Sequence, residues 1–257
     1  MSKIAMVTGA TAGIGEATAE VLVNNGYKVI ITGRREKRLS EIGDRLKLQN
    51  NGSVYSLHFD VRNKNEVDEA VQSLPDEWAD IDILINNAGL ASGMAPVQTG
   101  DTEDWEKMID TNIKGLLYVT RAVAPGMIKR KSGQIVNIGS IAGREVYPNG
   151  NVYCATKHAV DALTKGMRRD MLKDGIKVSQ VAPGAVETEF SVVRFHGDES
   201  KAEKVYKGYD PLMAKDIADA VLFVVSRPPH VNINDILVMP TAQASATQFE
   251  KDQEDNW

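Results

Sequence analysis

Short β-branched runs alternate with longer helix-patterned stretches, and this alternation restricts the fold more than any other feature of the chain. Ile4 to Val7, Val29 to Thr32, Val54 to Phe59 and Ile81 to Ile85 read as strands apolar on both faces. Such strands belong in a parallel sheet covered by helices on both sides. Between the first two, Glu16 to Asn25 sets Ala17, Val21 and Leu22 at helical spacing and stops at Gly26, a residue suited to the left-handed turn after a helix. Asn63 with Glu66 reads as a capping box opening a helix to Leu74, which Pro75 ends. Farther on, Asp104 to Lys131 and Val152 to Lys173 are helical in pattern, and Ile135 to Ile138 and Val178 to Ala182 read as strands. Ala214 to Ser226 and Ile236 to Met239 add a last helix and strand.

The expected fold class is therefore α/β, a doubly wound Rossmann-type parallel sheet flanked by helices in a single domain over residues 1–257. A length of 257 residues fits one such domain, and 42% hydrophobic with 25% charged residues is ordinary for a globular protein. A net charge of -5 without a long Lys/Arg run lacks the electrostatic footprint of nucleic-acid binding, so a small molecule is the expected partner. The opening run from Met1 is interrupted by Thr8-Gly9 too soon for a signal peptide. No apolar run reaches the roughly 18 residues of a membrane span, and a cytoplasmic location is expected. Cys154 is the single cysteine and His58, His158, His196 and His230 are scattered, so neither a disulfide nor a metal site is expected. Periodicity fails between Ala185 and Asp210, where glycine, charged and aromatic residues mix. A loop that long within a compact domain is commonly a lid or binding segment. The tail after Pro240 is polar, with Phe249 and Trp257 as isolated apolar anchors.

Chemistry enters at the strand ends. Thr8-Gly9-Ala10-Thr11-Ala12-Gly13-Ile14-Gly15 follows a strand and opens a helix, a context in which Gly9, Gly13 and Gly15 let the backbone approach a pyrophosphate at the positive helix end. A tight strand-to-helix turn with no ligand is the alternative. After the second strand the chain has Gly33-Arg34-Arg35 where an NAD enzyme places a carboxylate for the ribose 2′-hydroxyl. Arg34 and Arg35 suit the 2′-phosphate of NADP, the alternative being solvated charges that start the next helix. Asp60-Val61 can hold the adenine edge, and Asn86-Asn87-Ala88-Gly89 can line the ribose and nicotinamide path, although each is also compatible with a plain turn.

Tyr153 and Lys157 share one face of a helix. A free tyrosine has a pKa of about 10, and a nearby ammonium favours the phenolate. Such a pair also arises by chance on many helices. Ser140 follows a strand's carboxyl end, where open α/β sheets bind ligands, and its hydroxyl can bond a substrate oxygen. Asn112 is a polar residue inside a helical stretch and can hold a water against Lys157. Cys154 points about 100° away from Tyr153 around the helix and reads as packing.

Taken together, Thr8 to Gly15, Asn86 to Gly89, Asn112, Ser140 and Tyr153-Cys154-Ala155-Thr156-Lys157 resemble the short-chain dehydrogenase/reductase family over essentially the whole chain. The resemblance implies that Asn112, Ser140, Tyr153 and Lys157 form a catalytic tetrad. Tyr153 would donate the proton in carbonyl reduction, Ser140 would steady the oxygen, and Lys157 would bind the nicotinamide ribose and lower the tyrosine pKa. Asn112 would anchor a relay water, and Pro183, Gly184, Val186 and Thr188 would border the nicotinamide. It also implies a homotetramer built through the helices of Asn112 and Tyr153.

Ile138 to Arg144, Phe190 to Phe195 and Pro229 to Asn234 further resemble the NADP-dependent 3-hydroxy acid dehydrogenase branch, whose members act on serine, allo-threonine and related 3-hydroxy acids. A reductase of another small carbonyl, such as a sulfonated aldehyde, and a non-catalytic NADP-binding sensor are the alternatives. Arg194 sits among Val192, Val193 and Phe195, and its guanidinium matches a substrate carboxylate, with Tyr147 as a second contact. Pairing of Arg194 with Glu187, Glu189 or Asp198 is the competing reading.

Overall fold

The strand β1 (Ile4–Val7) is buried at every position, as a strand sandwiched between two helical layers must be. The computed structural model describes residues 2–49 and 53–252. After β1 come α1 (Gly13–Asn24), β2 (Lys28–Gly33), α2 (Glu36–Gln49), β3 (Val54–His58), α3 (Lys64–Gln72), α4 (Asp76–Ala79) and β4 (Ile83–Asn86). Next are α5 (Thr102–Ile109), α6 (Leu116–Arg130), β5 (Gly133–Ile138), α7 (Asn151–Asp170) and β6 (Ile176–Pro183). The chain then forms β7 (Val186–Glu187), α8 (Phe190–Arg194), α9 (Glu199–Tyr206), β8 (Leu212–Met213), α10 (Ala214–Val225) and β9 (Asp235–Val238).

Among the described residues, seven strands form one parallel sheet in the order β3-β2-β1-β4-β5-β6-β9. Strand order reverses direction between β1 and β4, so their carboxyl ends open a crevice at the topological switch point. Alternation along each strand feeds two cores. Met6, Leu84, Ile135 and Val178 pack on one face with Val119, Met127 and Val160, while Val7, Ile85 and Val181 pack on the other with Leu22 and Val221.

Three local expectations change. Asn63 accepts from the Asn65 and Glu66 amides, but Glu66 binds the Asp60 amide at 2.9 Å, so the box is not reciprocal; the Asn63 N–H is already used on the Asp60 carbonyl. The single helix expected over Asp104 to Lys131 is broken by a π-helical turn, Asp110–Gly115, of the kind that often marks functional sites. The helix Glu36–Gln49 that follows Arg34 and Arg35 packs on β2 and β3. Finally, 185–210 is not irregular but holds β7, α8 and α9, elements too short to show a period. Tyr206 ties them together, donating to the Val186 carbonyl at 2.8 Å and meeting Ser191 Oγ at 2.7 Å. In the tail, Phe249 packs on Tyr209 with ring centroids 5.1 Å apart, and Trp257 lies outside the described residues.

Candidate active site

A cleft of about 320 Å³ lies over the carboxyl ends of the strands. Its backbone floor is built for close approach. A Cβ on Gly15 would stand 2.3 Å from the Gly9 carbonyl oxygen, and one on Gly9 would stand 2.9 Å from Ala88 Cα. Gly9 and Gly13 also hold φ of 65° and 54°, in the left-handed region that glycine tolerates. Asn87 locks this turn, its Nδ2 donating to the Thr8 carbonyl at 2.8 Å, while Thr8 Oγ1 accepts from the Asn87 and Ala88 amides at 3.0 Å. The turn therefore leads straight into α1, whose amino end carries the positive pole of its dipole.

Thr11, Ile14, Val61, Gly89, Pro183, Gly184, Val186 and Thr188 line the same cleft, together with Arg34, Arg35 and Asp60. Arg34 is exposed at the cleft's edge. Arg35 is already engaged, donating to Thr11 Oγ1 and the Thr11 carbonyl at 3.0 to 3.1 Å and pairing with Glu189 at 2.9 Å. Asp60 pairs with Arg62; partial burial alone would raise its carboxyl pKa, but the Arg62 hydrogen bonds and charge hold it below the ordinary range.

At the other end, Ser140, Tyr153 and Lys157 line the cleft from β5 and α7. Lys157 Nζ donates to the Ile138 carbonyl at 2.9 Å. Burial lowers its pKa to about 8, because a dry environment disfavours the ammonium. The Tyr153 phenol behaves oppositely to the simple expectation. Burial raises its pKa, with Arg194 and Ser140 acting in the lowering direction, and Lys157 Nζ stands 6.0 Å from its ring centroid. The nearer cation is Arg194, whose Cζ lies 5.1 Å from the same centroid.

Asn112 sits in the π turn, and its side chain is committed to structure. Oδ1 accepts from the Leu90 amide at 2.8 Å, and Nδ2 donates to the Leu90 carbonyl at 2.8 Å and to Thr156 Oγ1 at 3.0 Å. Both amide hydrogens are thus used, and Asn112 fastens the segment after β4 to α7. Gly89 is the residue between Asn112 and Lys157: a Cβ there would lie 3.3 Å from Asn112 Oδ1 and 3.6 Å from Lys157 Nζ.

Arg194, at the end of α8, donates through Nη2 to the Tyr147 hydroxyl and stacks near the rings of Tyr147, Tyr153 and Phe190. Its Nε is buried with no hydrogen-bond partner among the described residues, and neither Arg194 nor Tyr147 is among the residues that line the cleft. None of Glu187, Glu189 and Asp198 pairs with it: Glu189 goes to Arg35 and Arg38, and Asp198 to Lys201. Phe190 meets Tyr153 edge-on, 5.6 Å between centroids.

A model of the short chain dehydrogenase family matches residues 3–198. The chain belongs to the short-chain dehydrogenase family. It is 49% identical over 244 residues to the NADP-dependent 3-hydroxy acid dehydrogenase of Escherichia coli, covering 95% of this chain and 97% of that one. It is 42% identical over 254 residues to sulfoacetaldehyde reductase 2 of Chromohalobacter salexigens, covering 98% and 100%. Among solved structures, the closed form of serine dehydrogenase complexed with NADP+ aligns with a TM-score of 0.92 at 48% identity, covering 97% and 100%.

Beside these shared features, this dehydrogenase shows residues that its sequence hid. Phe190, Val193 and Leu90 add apolar lining to the cleft, and Phe190 and Leu90 pack against the cluster that holds Tyr153. Gln243, buried in a polar tail, accepts from the Ala185 amide at 2.8 Å and so fixes the backbone after Gly184. No periodicity or motif flags a lone glutamine, and only its burial reveals it.

Proposed function

We propose that this short-chain dehydrogenase moves a hydride between NADP(H) and a small 3-hydroxy acid or its carbonyl counterpart, such as serine, allo-threonine or 3-hydroxypropionate. The observation that carries the substrate class is Arg194. Its guanidinium carbon lies 5.1 Å from the ring centroid of the cleft residue Tyr153, and its buried Nε has no acceptor among the described residues, a costly state that an anionic ligand reaching it would relieve. A carboxylate takes two parallel N–H bonds from such a fork. Tyr147 would serve as a second contact.

The cradle of Gly9, Thr11, Gly13, Ile14 and Gly15 fits the pyrophosphate, with Asn87, Ala88 and Gly89 along the ribose path and Asp60 and Val61 at the adenine. Arg34 and Arg35 would take the 2′-phosphate, and Pro183, Gly184, Val186 and Thr188 would border the nicotinamide. When bound, the reduced cofactor would supply the hydride and the oxidised cofactor would accept it. The protein's part is the proton. A phenol held protonated by burial is in the right form to donate to a carbonyl oxygen, so Tyr153 gives its proton in reduction and takes it back in oxidation. Ser140 donates to the same oxygen, Lys157 orients the ribose, and Asn112 positions α7. Segment 185–210 acts as the lid.

A sulfonate offers Arg194 the same kind of anion, which keeps a sulfonated aldehyde as the second reading beside the reductase relative. Residues 1–257 are read as one domain acting in the cytoplasm as a homotetramer. Leu117 on α6 and Phe223 on α10, 38% and 45% exposed, are apolar surface that assembly would cover. Light scattering checks the tetramer. Initial rates with NADP and NAD across 3-hydroxy acids, a hydroxysulfonate and simple secondary alcohols test the function. The reading requires NADP and an anionic substrate; preference for neutral alcohols overturns the substrate class, and binding without turnover would make the protein a sensor.

A further inference from the structure

The short helix α8 is held at both ends. At its carboxyl end the Gly93 amide donates to the Arg194 carbonyl at 2.9 Å, and His196 Nε2 lies 3.2 Å from the buried Asp104 carboxylate. At its amino end Glu189 spans two guanidiniums, Arg35 at 2.9 Å and Arg38. Arg35 and Glu189 both line the cleft, as do Gly33 and Arg34 at the end of β2. Glu189 therefore connects the segment carrying Phe190 and Arg194 to the arginine cluster at the end of β2.

An anion already stands on that cluster, and it is part of the protein. We propose that Glu189 is a specificity-determining residue that competes with the cofactor's 2′-phosphate for Arg35, so that NADP slackens the amino end of α8 and NAD leaves it latched. The inference rests on the reading of Arg34 and Arg35 as the 2′-phosphate site. Its sign follows from charge. Arg34, Arg35 and Arg38 attract any anion, but a phosphate of about two negative charges beside Arg35 weakens that arginine's hold on the carboxylate, leaving Arg38 as its partner. Two anions sharing one guanidinium weaken each other, and by linkage each lowers the other's affinity by the same factor. Both ion pairs are half exposed, with Glu189 at 42% and the arginines at 43% and 44%, so the effect is modest and falls with salt.

Adenosine 2′,5′-bisphosphate and adenosine 5′-monophosphate differ only in the 2′-phosphate and leave the nicotinamide site alone. Hydrogen exchange in the wild-type chain with each bound is expected to be faster across Phe190–Arg194 with the bisphosphate, while the Asp104 end stays unchanged. In Glu189→Gln that difference disappears and the bisphosphate binds about twofold to tenfold tighter, with the monophosphate unaffected. Equal exchange with both nucleotides in the wild type, or unchanged or weaker bisphosphate binding in Glu189→Gln, overturns the competition while leaving the cofactor reading intact. If neither protein prefers the bisphosphate, the 2′-phosphate reading itself fails and the inference with it.

Discussion

The two ends of the cleft are built from different materials. At the cofactor end the floor is backbone, with Gly9 and Gly15 wedged against Ala88 and each other and locked by Asn87 and Thr8, all hung from β1 and β4 in the centre of the sheet. At the substrate end the roof is side chains on short elements, tied by the Glu189 pairs, the Arg194–Tyr147 bond and the His196–Asp104 contact. Backbone geometry fixed by a buried sheet tolerates almost no change, whereas side-chain contacts near the surface can be broken singly. A common dinucleotide and a particular substrate call for that division.

Breaking the chemistry between the two ends has the largest expected effect. Tyr153→Phe keeps the ring contacts with Phe190 and removes the transferable proton, so turnover should fall about 10²- to 10⁴-fold with NADP binding retained. Steady-state rates beside NADP fluorescence titration check this, and near-normal turnover would remove Tyr153 from the mechanism. On the floor, Gly15→Ala drives a methyl into the Gly9 carbonyl oxygen and Asn87 Nδ2. Overpacking of this kind costs about 1–3 kcal/mol, seen as a lower urea midpoint together with weakened NADP binding. An unchanged midpoint would show that the turn yields easily. At the rim, Arg34→Ala should lower efficiency with NADP about tenfold or more while sparing NAD, as expected when a charged hydrogen bond of roughly 1.5–3 kcal/mol is lost.

Sheet and floor were legible in the sequence because their signals are local and repeated. Buried strands announce themselves as apolar runs, and glycines after a strand announce a close approach. The roof was not legible. The sequence between Ala185 and Asp210 forms α8 and α9, but five and eight residues are too few for a helical period to show. Sequence proximity offers Glu189 as a partner for Arg194, whereas the fold carries it to Arg35 and Arg38, more than 150 positions away in sequence. The Tyr153–Lys157 pair was legible as a shared face, yet its electrostatics were not. Spacing says nothing about burial, and burial moves both groups toward their neutral forms.

That burial gives a smaller, pH-dependent effect. Lys157 titrates at about 8 in the folded chain and near its ordinary 10.5 when unfolded. Between those values the unfolded chain binds more protons, so this lysine's contribution to stability rises with pH. Tyr153, raised above 10.0, binds its proton more tightly when folded, so its contribution falls above that point. Unfolding of wild type and Lys157→Met compared at pH 7.5 and 9.5 should show the variant's advantage shrinking as pH rises. A constant difference would mean that Lys157 is solvated.

The central claim is that the roof selects an acid through Arg194. Its most direct test compares a 3-hydroxy acid with its uncharged methyl ester in wild type and Arg194→Ala. The account expects the substitution to reduce kcat/KM on the acid by about 2 to 5 kcal/mol in transition-state terms, the loss typical of a buried charge partner, and to spare the ester. Equal losses on acid and ester would contradict it, leaving Arg194 as a packing element of the roof.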